Sequence, residues 1–383
     1  MPCAERTVLF GAFDRHNLGD LLIAEVVASM LNHPCIFAGL VERDMTPFGG
    51  HMVTGISSLA FEPDSSTRLF QCGGEILTCS NSDAAIMLLG EEEAKRAAAW
   101  LEHHPEAGTE FSRSICGCDS LAPYVLSKRN FREETRLIFH AAGGADLDLA
   151  ETALREEVYA KLSFADYVSV RDHVTQEHLR KAGIFSRLTP DPAVMTKELF
   201  ADRIHFAEFD EIMEKFPGGY LSIQFSADFG DDRTLDILAR ELDLISRSTG
   251  LGIVLFRAGA APWHDDPACY RRLCSKMKPA PMIFEILDIW KICGLIARSR
   301  LFCGSSLHGR IIANSFLIPA ISLVRQESPK KIGAYFETWE GKPGTFSAQE
   351  IASGILEMLD ETPAPCPTSI YRNEFTHALS ACH

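Results

Sequence analysis

The sequence predicts an α/β protein of two lobes, each with a mainly parallel sheet. Three observations carry this. Short apolar β-type runs alternate with helical stretches along most of the chain, several of those runs end in glycine, and a turn-rich break near the middle is followed by the same alternation again. Strands separated by helices pair in parallel through right-handed crossovers. Such folds take ligands beyond the carboxyl ends of their strands, and the expected site is a cleft between the lobes. The expected division is a first lobe over 1–195, a connection over 196–219, a second lobe over 220–360 and a tail over 361–383.

The elements follow in order. Thr7–Phe10 is an apolar β-type run, Gly11–Gly19 a polar loop, and Asp20–Leu31 has helical spacing, with Leu21, Leu22, Glu25, Val26, Ser29 and Met30 at three- and four-residue steps. RLFQCGG (68–74) and RLIFHAAGG (136–144) are strands ending in paired glycines. ADYVSVRD (165–172) is a strand followed by a helix that Gly183 stops. TPDPAV, a polar helix over Lys197–Lys215 and FPGG (216–219) mark the break. Beyond it come strand YLSIQFS (220–226), a charged helix over 232–246, strand GIVLFRAG (252–259) and a helix over 286–297. Strand RLFCG (300–304), the loop SSLHG, a helix to about Phe316 and strand IPAISL (318–323) complete the pattern.

The 383 residues carry 37 Lys and Arg against 52 Asp and Glu, a net charge of −15. That balance argues against nucleic-acid and anionic-membrane partners, which need a broad positive surface. Hydrophobic residues at 46% and charged residues at 23% are ordinary globular usage. The 12 cysteines are irregularly spaced with no CxxC pair, so a zinc site is weakly supported and the thiols are read as reduced. With no leader-like N-terminus and no apolar stretch of membrane-spanning length, a cytoplasmic location is expected. A homo-oligomer is left open.

Three loops carry candidate chemistry. In NLGD, Asn17 can cap the first helix, Gly19 allows close backbone approach and Asp20 lies in the positive first turn. In GSSLHGR, Ser305 or Ser306 can cap a helix whose first turn contains or directly follows His308. Backbone N–H groups would then face an oxyanion, with His308 able to donate a hydrogen bond or transfer a proton. Gly309 leaves room for a ligand beside the ring, while Arg310 points about 200° away from His308 if both are helical. In VSVRD, Arg171 offers a planar fork for a carboxylate or phosphate, with Asp172 beside it. The pairs Gly73–Gly74 and Gly143–Gly144 permit close backbone approach. Neither GxGxxG nor GxxxxGK[ST] occurs. WHDD (263–266) reads as a solvated surface, with Asp265 and Asp266 away from the SSLHG strand end.

Taken in order, NLGD (17–20), the strand ending at Gly73–Gly74, VSVRD (168–172) with its helix and Gly183, and DIWKICGLIARSRLFCGSSLHGRIIANSFLIPAISL (288–323) resemble the polysaccharide pyruvyl transferase family. The resemblance implies two Rossmann-like lobes of the glycosyltransferase GT-B kind and no metal or organic cofactor. It implies transfer of an enolpyruvyl-derived group from phosphoenolpyruvate to a sugar or other hydroxyl acceptor, giving a pyruvate ketal. The resemblance puts His308 and Arg171 at the catalytic positions, with His308 expected to act as the acid/base or phosphate-side donor and Arg171 as the anion clamp. Ser305, Ser306, Leu307, Gly309 and Arg310 form the donor-side loop, and Asn17, Gly19, Asp20, Gly73, Gly74 and Asp172 form the loops facing it.

One residue departs from the pattern. Many members carry Arg just before the Leu–His pair, where this chain, like other members with the SSLHG form, has Ser306, so another cation must replace it if the donor is unchanged. Arg15, Arg257, Arg310 and Lys330 are candidates. Two other readings stand beside the transferase: a sugar-nucleotide glycosyltransferase on the same scaffold, and a binding protein that keeps the pocket without the chemistry.

Overall fold

The computed structural model describes residues 6–59, 67–204, 209–325, 330–341 and 344–381. Cys3, Cys382 and residues 205–208 of the expected Lys197–Lys215 helix lie outside them. The chain forms two compact units: Met1–Pro192 with Pro329–Trp339 and Pro367–His383, and Ala193–Ser328 with Glu340–Cys366.

The first unit is built on an eight-stranded sheet. Its strands are β1 (Arg6–Phe10), β2 (Ile36–Gly39), β3 (Arg43–Asp44), β4 (Met52–Gly55), β5 (Thr67–Gly74), β6 (Arg136–Ala142), β7 (Tyr167–Val170) and β8 (Arg187–Leu188). They lie in the order β3-β4-β2-β1-β5-β6-β7-β8, parallel except for the β3–β4 pair. The central strands are almost wholly buried, which is why they read as continuous apolar runs rather than alternating ones.

The second unit holds β9 (Tyr220–Gln224), β10 (Gly252–Phe256), β11 (Met282–Phe284), β12 (Leu301–Gly304), β13 (Ala320–Leu323) and β14 (Thr345–Phe346). Their order is β11-β10-β9-β12-β13-β14, all parallel. Each unit has its own apolar core between its sheet and the covering helices. The expected α/β class with mainly parallel sheets is what the chain adopts.

The sheet orders position the sites. In the second unit the chain leaves β9 toward β10 and β11, then returns to lay β12 on the other side of β9. The order reverses between β9 and β12, and a crevice opens at such a reversal beyond the strand ends. The first unit has the same reversal between β1 and β5.

The chain breaks after Pro192, before the expected connection. The helices Thr196–Phe200 and Asp210–Lys215 stand where one polar helix was expected, and both belong to the second unit. The expected tail contains the helix Thr368–Ser380, which returns to the first unit. There Tyr371 and His140 share a buried hydrogen bond (3.1 Å) and Glu374 pairs with Arg187 (2.6 Å). Among the described residues no helix is long and apolar enough to cross a membrane, and the ten described cysteines are free.

Candidate active site

The SSLHG segment lies at the strand-order reversal of the second unit. β12 ends at Gly304, pairing with Gln224 at the end of β9, and the helix Leu307–Ser315 starts three residues later. Two side chains shape the turn between them. Ser306 caps the helix, its hydroxyl accepting the Gly309 amide (3.1 Å), and Ser305 Oγ accepts the Ser226 amide (3.0 Å) from the segment after β9. The backbones of both serines are held by Gln224. Its carbonyl accepts Ser305 N–H (3.3 Å) and its Oε1 accepts Ser306 N–H (2.9 Å).

Gln224 is held in turn by Asp265. Gln224 Nε2 donates to Asp265 Oδ1 (2.7 Å), while Oδ2 accepts Ala258 N–H (2.6 Å) and Gly259 N–H (3.2 Å). Burial pushes the Asp265 carboxyl up to about 7, against the lowering pull of these donors and of Arg257. Three strand ends, β9, β10 and β12, are thereby tied through one buried carboxylate.

This corrects the reading of WHDD. Asp265 is buried and one side chain away from Ser306, and Asp266 caps the helix Pro267–Lys276 through Ala268 N–H (2.7 Å). Gln224 was missed, although an amide in the fully buried strand YLSIQ is itself a signal, because it must find partners.

On this frame His308 is half-buried in the first turn of the helix, and the amides of Leu307 and His308 open that helix. The Leu307 side chain is buried. Gly309 serves packing rather than ligand access. A Cβ there would lie 2.6 Å from the Phe302 ring, so the glycine lets the helix rest on β12.

Arg310 does not face a ligand beside His308. It is 4% exposed and bonds Glu340 (2.8 Å), Gly344 O (3.0 Å) and Ser322 Oγ (3.2 Å). Arg257, directly after β10, acts on Asp265 as a neighbouring positive charge, so it lies at the same strand ends as the loop.

In the first unit Arg171 is 1% exposed, clamped between Glu75 (2.5 Å) and Asp191 (3.1 Å). Both carboxylates raise its pKa against the effect of burial. Asp172 accepts Thr175 N–H (2.7 Å) and Thr175 Oγ1–H (2.9 Å), capping the helix His173–Lys181. The expected anion clamp is therefore corrected to an internal strut that joins the ends of β5 and β7 to the segment after β8. Glu75, its partner directly after the Gly73–Gly74 pair, was not foreseen.

Asn17 caps the first helix as expected, accepting from Gly19 N–H (2.9 Å) and Asp20 N–H (3.3 Å). Gly73 and Gly74 close β5. Gly74, at φ 94°, lies where a Cβ would come 2.7 Å from Asp20 Oδ1, so β5 ends against the start of that helix. Lys330 is paired with Asp148 (2.8 Å) in the first unit. Among the described residues no group of three or more His, Cys, Asp or Glu is arranged to hold a metal.

Comparison with known proteins bears on both units. The chain is similar in structure to UDP-GlcNAc 2-epimerase from Methanocaldococcus jannaschii, with a TM-score of 0.59, 10% identity and 98% and 99% of the two chains covered. It is also similar to UDP-GlcNAc 2-epimerase from Neisseria meningitidis bound to UDP-GlcNAc, at 0.55 and 11% identity, with 98% and 99% covered. At such identities the likeness establishes the fold, a GT-B-like pair of Rossmann-like units. No curated protein matches the chain. The sequence model for polysaccharide pyruvyl transferases matches residues 123–327, more than half of the chain and including Arg171, Gln224, Asp265 and the SSLHG turn. The chain belongs to the polysaccharide pyruvyl transferase family.

Proposed function

We propose that the chain transfers the enolpyruvyl-derived group of phosphoenolpyruvate to two hydroxyls of a sugar acceptor, forming a pyruvate ketal and releasing inorganic phosphate. The observation that supports this most is the SSLHG turn at the β9/β12 reversal, with an imidazole and helix-opening amides at the strand ends. The reading belongs to a family of transferases.

The chemistry balances as follows. The methylene carbon of phosphoenolpyruvate takes a proton, and the neighbouring carbon gains cationic character. One hydroxyl oxygen bonds there and gives up its proton. The carbon–oxygen bond to phosphate breaks, and the second hydroxyl closes the ketal while its proton leaves with the phosphate side. We assign to His308, in the first turn of the Leu307–Ser315 helix, the role of supplying or taking a proton at the reacting group. The Leu307 amide and the positive end of the helix favour developing negative charge on the phosphate.

Arg257 is the cation we assign to the place of the missing Arg at Ser306. It follows β10 and lies near Asp265, whereas Arg310 is committed to Glu340 and Lys330 to Asp148. Arg257→Ala should raise KM for phosphoenolpyruvate with a smaller effect on kcat. An unchanged KM removes Arg257 from donor binding.

A sugar-nucleotide reaction is the second reading, favoured by structural neighbours that bind UDP-GlcNAc. Release of inorganic phosphate from phosphoenolpyruvate, measured against release of UDP from a UDP-sugar, separates the two.

A further inference from the structure

The first unit contains a guanidinium two of whose nitrogens, Nε and Nη1, meet no hydrogen-bond acceptor among the described residues. Arg15 follows β1, at the reversal of strand order between β1 and β5. Its side chain is 9% exposed, and its Nε and Nη1 are buried with no hydrogen-bond acceptor among the described residues. A buried donor left unmade is costly, so such a group in a folded protein calls for an explanation.

The surroundings account for the charge but not for the donors. Arg15 lies over the Tyr124 ring, 4.9 Å from its centre, which covers one face and leaves the in-plane N–H groups for other partners. Asp14 is fully engaged elsewhere, accepting Tyr124 OH (2.7 Å), Leu40 N–H (2.6 Å) and Val41 N–H (3.1 Å). Asp20 Oδ2 stands 3.7 Å from Nη2, a charge contact longer than a hydrogen bond. Burial opposes the charge, yet Tyr124, Cys79, Asp20 and Asp14 outweigh it and the guanidinium stays ionised.

We propose that Arg15 anchors an oxyanion subsite at the carboxyl end of β1, where carboxylate or phosphate oxygens of a ligand accept the Nε and Nη1 donors that no acceptor among the described residues takes. A guanidinium suits this because its donors form a planar fork matched to such groups. Two sources share the chemistry: phosphoenolpyruvate itself, or an acidic group on the sugar acceptor, a uronate or a phosphate ester. The second source would name the acceptor class and rests on the pyruvyl-transfer reading, whereas the subsite rests only on the residues of the first unit.

Calorimetric titration of the full chain with phosphoenolpyruvate, inorganic phosphate and glucuronate tests this, comparing wild type with Arg15→Met, Asp20→Asn and His308→Ala. At least one probe should bind wild type and lose tenfold or more in affinity with Arg15→Met. Asp20→Asn, which removes the opposing charge, should tighten the same probe several-fold. Arg15→Met leaves the buried Asp20 without its cation and should itself lower the melting temperature. Arg15→Lys, which keeps the charge and loses the planar fork, is therefore titrated beside it and should lose affinity for the same probe. Glucuronate or phosphate as the Arg15-dependent probe assigns the subsite to an acidic acceptor, and phosphoenolpyruvate alone assigns it to the donor. Either result supports the subsite, even where His308→Ala leaves phosphoenolpyruvate affinity unchanged and so weakens the pyruvyl-transfer reading. Binding of every probe that is indifferent to both Arg15→Met and Arg15→Lys overturns it and makes Arg15 a structural partner of Asp20 and Tyr124.

Discussion

Gln224 Oε1 and the Ser306 amide lie 2.9 Å apart, and this bond fixes the SSLHG turn to the neighbouring strand. The other end of the same side chain reaches Asp265 at 2.7 Å, so a single amide joins the loop after β10 to the loop after β12. The helix that carries His308 thus starts from a frame built by Gln224 and Asp265.

Gln224→Ala should therefore damage the site more than its distance from His308 suggests. It leaves both the Ser306 N–H and one Asp265 oxygen without their partner. An unsatisfied buried group costs about 1–3 kcal/mol. Chemical denaturation should show a loss of that order, and turnover should fall with it. Unchanged stability would mean that water replaces the side chain at no cost.

Asp265 gives a pH signature. Its carboxyl is raised to about 7 in the folded protein, from 3.8 in the unfolded chain. The native state then holds a proton that the unfolded state releases, so the contribution to stability is complete below 3.8 and is lost as pH rises toward 7. Asn does not titrate. The stability of wild type relative to Asp265→Asn should decline between pH 4 and 7 and level off above, as read by unfolding at a series of pH values. A flat difference contradicts the shift.

Arg171→Ala should act on stability before activity. Removing the guanidinium leaves Glu75 and Asp191 facing each other with no cation between them. Breaking a buried ion pair in this way costs about 3–5 kcal/mol. A large drop in melting temperature is expected. A normally folded variant with lost donor affinity would instead restore Arg171 to the site.

Much of this was legible in the sequence, and the misreadings share a cause. The strands of both sheets, the NLGD cap and the SSLHG turn are local patterns, set by apolar runs and by capping residues a few positions apart. Burial of Arg171 and Arg310 was not legible, because their partners Glu75, Asp191 and Glu340 lie 96, 20 and 30 residues away in sequence. Asp265 failed for the same reason: a polar loop next to Trp263 reads as surface until the fold brings it against Gln224. Gly309 was assigned to ligand access, but the Phe302 ring lies under it.

Gly309→Ala tests that contact. The added methyl would meet the Phe302 ring at 2.6 Å and push the first turn away from β12. Overpacking of this kind costs about 1–3 kcal/mol. Melting temperature and turnover should fall together, since His308 sits in the displaced turn. A variant that is fully stable and fully active would show that the ring yields freely.

His308→Ala should leave the fold intact and reduce turnover about a hundredfold to a thousandfold, the usual cost of one positioned catalytic group. Steady-state assay beside a melting curve checks both halves.

The structure of this protein crystallised with phosphoenolpyruvate tests the central claim most directly. The account predicts the phosphate or carboxylate of the donor against the first turn of the Leu307–Ser315 helix, within hydrogen-bond reach of His308. Donor density seated away from that turn, or a uridine nucleotide occupying it in preference when both are supplied, would contradict the account.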